Sequence, residues 1–358
     1  MKIRVGIVGY GNIGRAVEKI CAGDRDFEIV GIFSRRDKQA LHSPFCSEFF
    51  AQNEIFDERF EGKIDIAILC VGSAFDLEDT AVKIATRFCT LDCFDTHARM
   101  SEYLKTIDTA NKMCGTLSFV GMGWDPGVFS LERALLSAVM PQSQPQTFWG
   151  KGVSQGHSEA IRKIDGVKYA TQYTVPKPEA VESAMRGETE LSAREKHERI
   201  CFVVPGYAKY YGRCDVSEEE REDLRQRIST AIKSMPNYFA DYDTTVNFVS
   251  EEEYLAKHTQ AYHAGKVIAV EKDMKCGCGK VFCTGEKYGD NPPCKAGKVK
   301  NSAEFRLELD SNPDFTAQVM TAYAKANYRM WKEGETGAKT ILDVPVRYLF
   351  QGDSLQFV

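Results

Sequence analysis

A glycine-rich turn directly after an apolar run near the N-terminus constrains the fold of this chain more than any other feature. Residues 3–8 (IRVGIV) are almost continuously apolar, as expected for a strand that is covered on both faces. Gly9, Gly11 and Gly14 follow in the spacing GxGxxG, and the residues after them carry apolar side chains at helical spacing. This order predicts a strand, a tight turn and a helix over residues 12–21, with the N-terminus of the helix available to bind phosphate.

The first 120 residues alternate between strand-like and helix-like stretches. Strands are predicted over 3–8, 28–33, 64–71, 89–94 and 117–122, and helices over 12–21, 79–88 and 101–113. With the glycine spacing, this alternation predicts an α/β fold, a doubly wound parallel sheet that forms a Rossmann-type dinucleotide-binding domain over residues 1–120. The strand and helix around the turn argue against the alternative of a plain glycine turn. We assign cofactor binding to the whole turn, which consists of Gly9, Tyr10, Gly11, Asn12, Ile13 and Gly14.

The end of the second predicted strand indicates which dinucleotide binds. Domains that bind NAD usually place Asp or Glu about 20 residues after the turn, where it bonds the ribose 2′-hydroxyl. This chain instead carries Ser34, Arg35 and Arg36. Two guanidinium groups and a hydroxyl suit the 2′-phosphate of NADP, because Arg binds phosphate as a bidentate fork. We therefore predict NADP as the cofactor; the alternative is a solvated loop that happens to hold two arginines.

The segments after the other predicted strands are further candidates for cofactor contacts, because ligands of such sheets bind beyond the carboxyl ends of the strands. The glycines and the proline in them are typical of turns, whereas Asp and Trp are unusual choices for a turn. The candidates are Cys70, Val71, Gly72 and Ser73; Asp92, Cys93 and Phe94; and Trp124, Asp125, Pro126, Gly127 and Val128.

The sequence pattern changes after Gly127. Strand-type runs cover 146–153, 168–175, 199–206 and 243–249, and a charged helical stretch covers 217–233. This pattern predicts an α+β domain with an open mixed sheet, over residues 121–301, for substrate binding and dimerisation. A strand at FRLELD, a helix over 316–333 and the apolar run TILDVPV follow, and we expect residues 302–358 to complete the first domain.

Charge and composition exclude several classes of protein. The formal net charge is −5, and neither a basic patch for nucleic acid nor a polybasic membrane anchor is visible. No segment has the roughly 18 uninterrupted apolar residues of a membrane span, and the first residues lack the apolar region of a signal peptide. Many of the 12 cysteines lie in apolar strand-like runs, which suits a reducing compartment. We expect a cytoplasmic protein.

Seven motifs together resemble one enzyme family. They are GYGNIG, IFSRRD, GWDPGVFS, FWGKGVSQGHS, YTVP, CFVV and NPDFTA, in this order along nearly the whole chain. They are similar to those of the meso-diaminopimelate dehydrogenases, and the middle motifs are far more specific than the glycine turn. The resemblance implies a homodimeric, NADP-dependent enzyme of lysine and cell-wall precursor biosynthesis. It implies oxidative deamination of meso-2,6-diaminopimelate at the D-centre to L-2-amino-6-oxopimelate, reversible with ammonia.

The resemblance also implies a set of substrate contacts. The substrate has two carboxylates and two ammonium groups, so its site needs both cations and anions at fixed places. Asp95 and Asp125 suit the amine that is oxidised, and we assign them the catalytic role of ammonium partners. Trp124 is expected to shape a wall of the site. The other implied contacts are Trp149, Gln155, Gly156, Thr174, Arg199, His263 and Asn312.

Each assignment has a simpler structural alternative. Asp125 before Pro126 and Asn312 before Pro313 are also typical of turns. Trp149 can instead be a plain core residue. Without the resemblance, an exposed turn position suits His263 equally well, and a surface ion pair is the favoured interpretation of Arg199.

Four clustered cysteines depart from the family pattern. Cys276, Cys278, Cys283 and Cys294 have the spacing C-x-C-x4-C-x10-C. Four thiolates can hold zinc, but the first spacing is tighter than the common C-x2-4-C, so we favour reduced thiols and predict no metal. Disulfides are disfavoured in the cytosol.

Two other functions compete with the main prediction. One is an NADP-dependent D-amino acid dehydrogenase of broader substrate range, but a monocarboxylate substrate would not need Arg199, Thr174 and Asn312 together. The other is a non-catalytic NADPH-binding regulator, which would have little reason to keep Asp95 and Asp125 at the nicotinamide end. NADPH binding without turnover of any diamino acid would identify the regulator.

Overall fold

The computed structural model describes residues 2–45, 48–72, 77–188, 191–236, 238–260, 262–272, 299–350, 352 and 354–358. Its strands are β1 (Ile3–Val8), β2 (Phe27–Ser34), β3 (Phe49–Ala51), β4 (Ile66–Leu69), β5 (Cys89–Asp92), β6 (Leu117–Phe119), β7 (Gln146–Trp149), β8 (Gly152–Val153), β9 (Val167–Pro176), β10 (His197–Pro205), β11 (Asp243–Phe248), β12 (His263–Lys272), β13 (Val299–Leu309) and β14 (Gly337–Lys339). Its helices are α1 (Asn12–Gly23), α2 (Leu77–Ala85), α3 (Met100–Cys114), α4 (Val128–Val139), α5 (Gln155–Arg162), α6 (Pro178–Met185), α7 (Ala193–Lys196), α8 (Tyr207–Tyr211), α9 (Glu218–Lys233), α10 (Glu251–Lys257) and α11 (Asn312–Lys332).

The chain divides into two compact units. The first consists of Met1–Leu131 and Pro313–Val358, and the second of Glu132–Asn312. None of the helices in the described ranges is both long enough and apolar enough to span a lipid bilayer.

The first unit is built on a parallel sheet of seven strands in the order β14-β6-β5-β4-β1-β2-β3. One apolar core covers one face of the sheet and includes Ile68 and Met320, while the other face is covered by a core that includes Leu69 and Ile84. Because both faces are buried, the strands have the continuous apolar sequences from which they were predicted. The strand order reverses between β1 and β4, and a ligand crevice forms beyond the carboxyl ends of strands at such a point. The predicted α/β, Rossmann-type fold is confirmed.

The second unit contains two sheets. One has the order β11-β10-β9-β8 and is mixed, because β10 runs parallel to β11 but antiparallel to β9. The other has the order β13-β12-β7 and is antiparallel. Helix α9 packs Leu224 and Ile228 onto the first sheet, and the second sheet packs against Ala180 and Ala184 of α6. The second unit is therefore α+β, as predicted, but the run 146–153 splits into β7 and β8, which belong to different sheets.

The structure corrects several predictions at the ends of the domains. We predicted that residues 302–358 complete the first domain, but FRLELD lies in β13, which pairs with β12 in the second unit. The units change at residues 131 and 313 instead of 120 and 302. The run TILDVPV forms short 3-10 turns, and the edge strand of the first sheet is β14, just before it. Pro345 removes a backbone donor there, which disfavours a strand.

Several elements were not predicted at all. They are β3, α4, α5, α6, α7, α8, α10, β12 and β14. β3 has only three residues and lies at the sheet edge, so it has little periodicity to detect. The apolar run of β12 covers only residues 267–270 and is flanked by Lys266 and Glu271, and Gly265 precedes it, which makes the strand hard to detect.

Candidate functional site

The glycine turn has the geometry that its spacing predicts. Gly9 has φ +94°, and a Cβ there would lie 2.8 Å from the carbonyl oxygen of Cys70. A Cβ on Gly14 would lie 2.2 Å from the carbonyl oxygen of Gly9, so only glycine allows α1 to pack this closely on the turn. A Cβ on Gly11 would meet no heavy atom within 4 Å. Gly11 is also the N-cap of α1 and has no side-chain cap, so its backbone is open to an anion, which fits a dinucleotide pyrophosphate.

The arginines after β2 lie beside this turn. Arg35 and Arg36 are exposed, and the Arg36 guanidinium donates to the carbonyl oxygen of Tyr10. The backbone N–H of Arg36 donates to Oγ of the buried Ser34 at 3.2 Å. These contacts fix the loop against the glycine turn, where two guanidinium groups can receive a 2′-phosphate.

A cleft of about 650 Å³ opens next to the same loop. Cationic and polar side chains line it, among them Arg35, Arg36, Lys38, Lys83 and Thr80. Its residues come from the end of β2, the region around and after β3, and helix α2, and the sequence predicted only Ser34 and the two arginines. Lys83 was missed because it lies in a helix on another part of the chain.

The end of β4 completes the crevice at the strand-order reversal. Cys70 is buried and its N–H donates to the carbonyl oxygen of Val8 at 2.7 Å, while Val71 is half-buried and Gly72 exposed. Burial raises the pKa of the Cys70 thiol, so the thiol stays protonated. The predicted contact Ser73 lies outside the described residues.

Asp92, a predicted cofactor contact, has its carboxylate engaged within the protein. It is 1% exposed and accepts the N–H of Phe94 at 2.9 Å, the N–H of Gly121 at 3.0 Å and the hydroxyl of Tyr103 at 2.7 Å. Burial raises its pKa. Asp92 therefore joins the turn after β5 to the turn after β6, and these turns carry Asp95 and Asp125.

The loop after β6 is held tightly by its own backbone. Gly123 N–H donates to the carbonyl of Pro126 at 3.1 Å, and Phe129 N–H donates to the carbonyl of Trp124 at 2.8 Å. The Trp124 ring packs edge-on against buried Phe129, with centroids 5.1 Å apart. Trp124 and Asp125 are half-buried, whereas Asp95 on the neighbouring turn is exposed. Pro126, Gly127 and Val128 lie where the loop enters α4.

In the second unit, the structure brings several predicted substrate residues into one place. β10 sets Arg199 opposite Thr174 of β9, and β9 sets Thr174 opposite Gly152 of β8. Val153 N–H then donates to the carbonyl of Tyr262 at 2.8 Å, which brings His263 beside the same strand. Trp149 lies opposite Gly265 of β12, on the other side of this junction. Arg199, Thr174, His263 and Trp149 therefore converge, although 114 residues separate Trp149 from His263 in the sequence.

Arg199 is a buried cation. It is 6% exposed, its Nη1 donates to Thr174 Oγ1, and its guanidinium lies 4.0 Å from the centre of the Tyr242 ring. Its Nε is buried without a hydrogen-bond partner, and no carboxylate in the described residues forms an ion pair with it. Burial lowers the pKa of Arg199, but a guanidinium remains charged at neutral pH. A buried, unpaired guanidinium is the environment in which a ligand carboxylate binds.

Three histidines near Arg199 are neutral. His157, His197 and His263 each have a pKa lowered to about 4, first by burial and also by the charge of Arg199. His197 accepts the backbone N–H of Trp149 through Nε2 at 2.9 Å, and its ring lies 5.3 Å from the Trp149 ring. His263 Nδ1 is 2.9 Å from the carbonyl oxygen of Ala264, so Nδ1 carries the proton and donates.

Sequence reasoning missed His197, Tyr242 and Gln172, which surround Arg199 and Thr174. The buried face formed by β9 and β10 is apolar at Ala170, Cys201 and Val203 and becomes polar toward the other end. Buried polar residues that alternate along two paired strands would have been the signal, but it depends on knowing the pairing.

The remaining predicted residues lie at helix starts. Gln155 is half-buried and Gly156 exposed at the first turn of α5, directly after Ser154, whose N–H donates to the carbonyl of Gln172 at 3.0 Å. Asn312 is half-buried and begins α11. The four clustered cysteines lie outside the described residues. Within those ranges, no group of three or more His, Cys, Asp or Glu side chains is arranged to hold a metal ion.

Known proteins match the chain over both units. The family profile for the diaminopimelic acid dehydrogenase C-terminal domain matches residues 123–277. The meso-diaminopimelate D-dehydrogenase of Lysinibacillus sphaericus is 43% identical over 344 residues, covering 96% of this chain and 94% of that protein. The structure of DAP dehydrogenase from Corynebacterium glutamicum in complex with DAP matches with a TM-score of 0.82 and 36% identity, covering 99% of this chain and 98% of the other. An engineered D-amino acid dehydrogenase bound to NADP+ matches with a TM-score of 0.80 and 35% identity, covering 100% and 98%.

Two substitutions in the glycine turn should separate folding from cofactor binding. Gly14→Ala places a methyl group against the Gly9 carbonyl oxygen. Without cofactor, we therefore expect the free energy of unfolding to fall by about 1–3 kcal/mol, which lowers the midpoint of thermal unfolding. Gly11→Ala meets no protein atom and should keep that midpoint, but should weaken NADPH binding at least tenfold, because the methyl group occupies the path of the pyrophosphate. Thermal melts and NADPH titration by fluorescence measure both. Equal loss of stability in the two variants would contradict this assignment.

The neutral histidines should make the second unit acid-sensitive. Since their folded-state pKa lies below that of the unfolded chain, the unfolded chain binds more protons, and stability falls as pH drops from about 6.5 toward 4. Each histidine should contribute about 2 kcal/mol to the loss of unfolding free energy between pH 7.5 and 5. His197→Gln should reduce the loss of unfolding free energy between these pH values by about 2 kcal/mol. His42→Gln, at an exposed position, should leave that loss unchanged. Urea unfolding at both pH values measures this, and an unchanged pH difference in His197→Gln would refute the role of its burial.

Proposed function

The chain belongs to the family of meso-diaminopimelate D-dehydrogenases, and we propose that it oxidatively deaminates meso-2,6-diaminopimelate at the D-centre to L-2-amino-6-oxopimelate with NADP. The observation that carries this proposal is the buried guanidinium of Arg199, which donates to Thr174 and has no carboxylate partner in the described residues. It provides a site for a carboxylate beyond the one at the reacting carbon. The reaction is reversible and belongs to lysine and cell-wall precursor biosynthesis.

The first unit supplies the groups that suit the cofactor. The open backbone at Gly11 and the uncapped start of α1 suit the pyrophosphate, and Arg35 and Arg36 suit the 2′-phosphate. The turns after β4, β5 and β6 would contact the rest of the dinucleotide. When bound, NADP would supply the hydride acceptor for oxidation of the substrate carbon.

Asp95 and Asp125 act on the reacting amine. Both lie on turns joined by the buried carboxylate of Asp92, which restricts how far the two turns can move apart. Their carboxylates bind the substrate ammonium and orient the D-centre, and a proton leaves the nitrogen through water, so that its lone pair can assist oxidation. The oxidised centre is an imine; water adds to it and ammonia leaves, which yields the oxo product. No lysine or histidine at this end is assigned as a base.

The second unit binds the distal amino-acid end. Arg199 and Thr174 donate to its carboxylate, while His263 and Asn312 complete hydrogen bonds to its remaining polar atoms. Trp149 forms a wall of the site, held by the hydrogen bond from its backbone N–H to His197. Gln155 and Gly156, at the start of α5, lie next to Gln172 and contribute backbone and side-chain contacts to the substrate.

The alternatives make less use of these residues. A dehydrogenase of simple D-amino acids would leave the Arg199 guanidinium buried and unpaired in its substrate complex, at a cost of several kcal/mol. A regulator that only binds NADPH has no use for a carboxylate site in the second unit. We further propose that the enzyme works in the cytoplasm as a homodimer and that ammonia is its nitrogen donor in the reverse reaction, as the sequence motifs imply.

The direct test of the function is NADP reduction at 340 nm with separate meso-, LL- and DD-diaminopimelate. We expect turnover with the meso isomer and NADP, and much slower turnover when NAD replaces NADP. Activity on simple D-amino acids would favour the broader dehydrogenase instead. NADPH binding without turnover of any of these compounds would favour the regulator.

Asp125→Asn tests the role of the carboxylate at the reacting amine. We expect kcat to fall about 100-fold, because the neutral amide cannot hold the ammonium in place, while the Kd for NADPH changes less than about threefold. Glu61→Gln is a matched control. Glu61 is an exposed carboxylate that precedes the amino end of β4, whereas Asp125 lies beyond the carboxyl ends of the strands. Rate assays and NADPH titration of the purified variants measure both quantities. An equal loss of turnover and NADPH binding in Asp125→Asn would exclude this role.

A further inference from the structure

Thr174 lies at the end of a buried chain of hydrogen bonds. Gln172 and Thr174 are two residues apart on β9, so their side chains point to the same face of the sheet, and both are buried. Gln172 Nε2 donates to Thr174 Oγ1 at 3.3 Å, and Arg199 Nη1 donates to the same oxygen. A hydroxyl oxygen has two lone pairs and one proton to donate. Both lone pairs of Thr174 are therefore engaged, and its O–H has no recorded acceptor among the described residues.

The orientation of the Gln172 amide is coupled to the tautomer of His157 on its other side. His157 Nδ1 lies 3.1 Å from Gln172 Oε1, and since a carbonyl oxygen only accepts, Nδ1 carries the proton. A rotated amide would direct its NH2 group at that N–H and its oxygen at Thr174. The amide oxygen would then take the Thr174 proton, and the hydroxyl would no longer donate to a ligand.

The surroundings hold His157 and Gln172 in this arrangement. The His157 ring packs edge-on against Tyr238, with centroids 5.2 Å apart, and against Phe239 at 5.7 Å. Ser158 Oγ accepts the backbone N–H of Gln172 at 3.0 Å, so the backbone position of Gln172 does not depend on its side-chain amide. Burial and the charge of Arg199 lower the pKa of His157 to about 4, so the ring is neutral, and its tautomer and the orientation of the Gln172 amide fix each other.

We propose that Gln172 and His157 are positioning residues that fix the direction of the Thr174 hydroxyl, so that Thr174 and Arg199 together donate to one carboxylate of the ligand. This inference rests on the proposed function, in which that carboxylate belongs to the distal end of diaminopimelate. The arrangement presents only donors at this point. It therefore accepts a carboxylate and disfavours an ammonium group or an amide NH2 in the same place.

Two substitutions of His157 separate hydrogen bonding from packing. His157→Asn keeps an N–H near the position of Nδ1, whereas His157→Leu fills similar space without a donor. We expect His157→Leu to raise the KM for meso-diaminopimelate about tenfold, the effect of about 1.4 kcal/mol from one misdirected hydrogen bond. The kcat and the KM for NADP should stay within about threefold of the wild type, and His157→Asn should restore a KM within about threefold.

D-Lysine provides the second measurement, because it has the reacting end of the substrate and lacks the distal carboxylate. Its inhibition constant against meso-diaminopimelate should be the same in the wild type and both variants, within about threefold. Gln172→Met removes the donor to Thr174 and should raise the KM for meso-diaminopimelate as His157→Leu does. If His157→Leu does not fold, Gln172→Met takes its place in the test. Thr171→Val is the control, because it deletes a buried hydroxyl of the same strand. That hydroxyl bonds the Tyr254 hydroxyl and the His258 carbonyl and not Thr174, so the variant should leave the KM for meso-diaminopimelate unchanged.

The outcomes distinguish this inference from the proposed function. A wild-type enzyme that does not oxidise meso-diaminopimelate overturns the proposed function, and the inference with it. An active wild type with equal KM values in folded His157→Leu and Gln172→Met overturns the inference alone. A parallel rise of the diaminopimelate KM and the D-lysine inhibition constant also overturns it, since a general disturbance of the site would affect both ligands.

Discussion

The buried charge of Arg199 is the interaction on which the rest of the second unit's site depends. Moving a guanidinium out of water without an anionic partner costs several kcal/mol, and the protein offsets this only in part. The ring of Tyr242 faces the cation at 4.0 Å, and Thr174 accepts a hydrogen bond from Nη1, but Nε has no partner in the described part of the chain. A ligand carboxylate supplies the missing charge and the missing acceptor at once. The part of this desolvation cost that the protein does not offset is therefore relieved when a ligand carboxylate binds, which favours binding.

The first unit binds its ligand by a different physical principle. In the proposed function, its contacts to the cofactor come from backbone groups that are left exposed at the start of α1 and from exposed arginines, so no charge has to be buried in advance. The requirement is steric: Gly14 must be small because α1 packs on the turn, and in the proposed function Gly11 must be small so that the pyrophosphate can approach its backbone. Such requirements are local in sequence. For that reason the glycine turn, the arginines after β2 and the alternation of strands and helices could all be predicted from the sequence.

The site in the second unit could be predicted only in part, because its members meet through cross-strand pairing. The resemblance of motifs named Thr174 and Arg199, but nothing in the sequence around Arg199 shows that it is buried, and a surface ion pair was the simpler interpretation. Its burial follows from the register that sets it opposite Thr174, with β8 and β11 on either side of the pair of strands. Gln172 was missed for the same reason. Asp92 stays a predicted cofactor contact, but the bonds of its buried carboxylate to the protein's own turns were not foreseen, because they too depend on which strands are neighbours. Local patterns do not encode which strand lies next to which.

The same cation also limits the charge of its surroundings. Three histidines lie close enough for Arg199 to lower their pKa values, and together with burial this keeps them neutral at physiological pH. If they were protonated, the site would carry four positive charges and would attract phosphates and polyanions as readily as one carboxylate. With neutral histidines it carries one positive charge, and the imidazoles serve as hydrogen-bonding groups of defined direction. Selectivity for a single carboxylate therefore follows from burial: the low-dielectric environment that makes Arg199 demand an anion also prevents its neighbours from becoming cations.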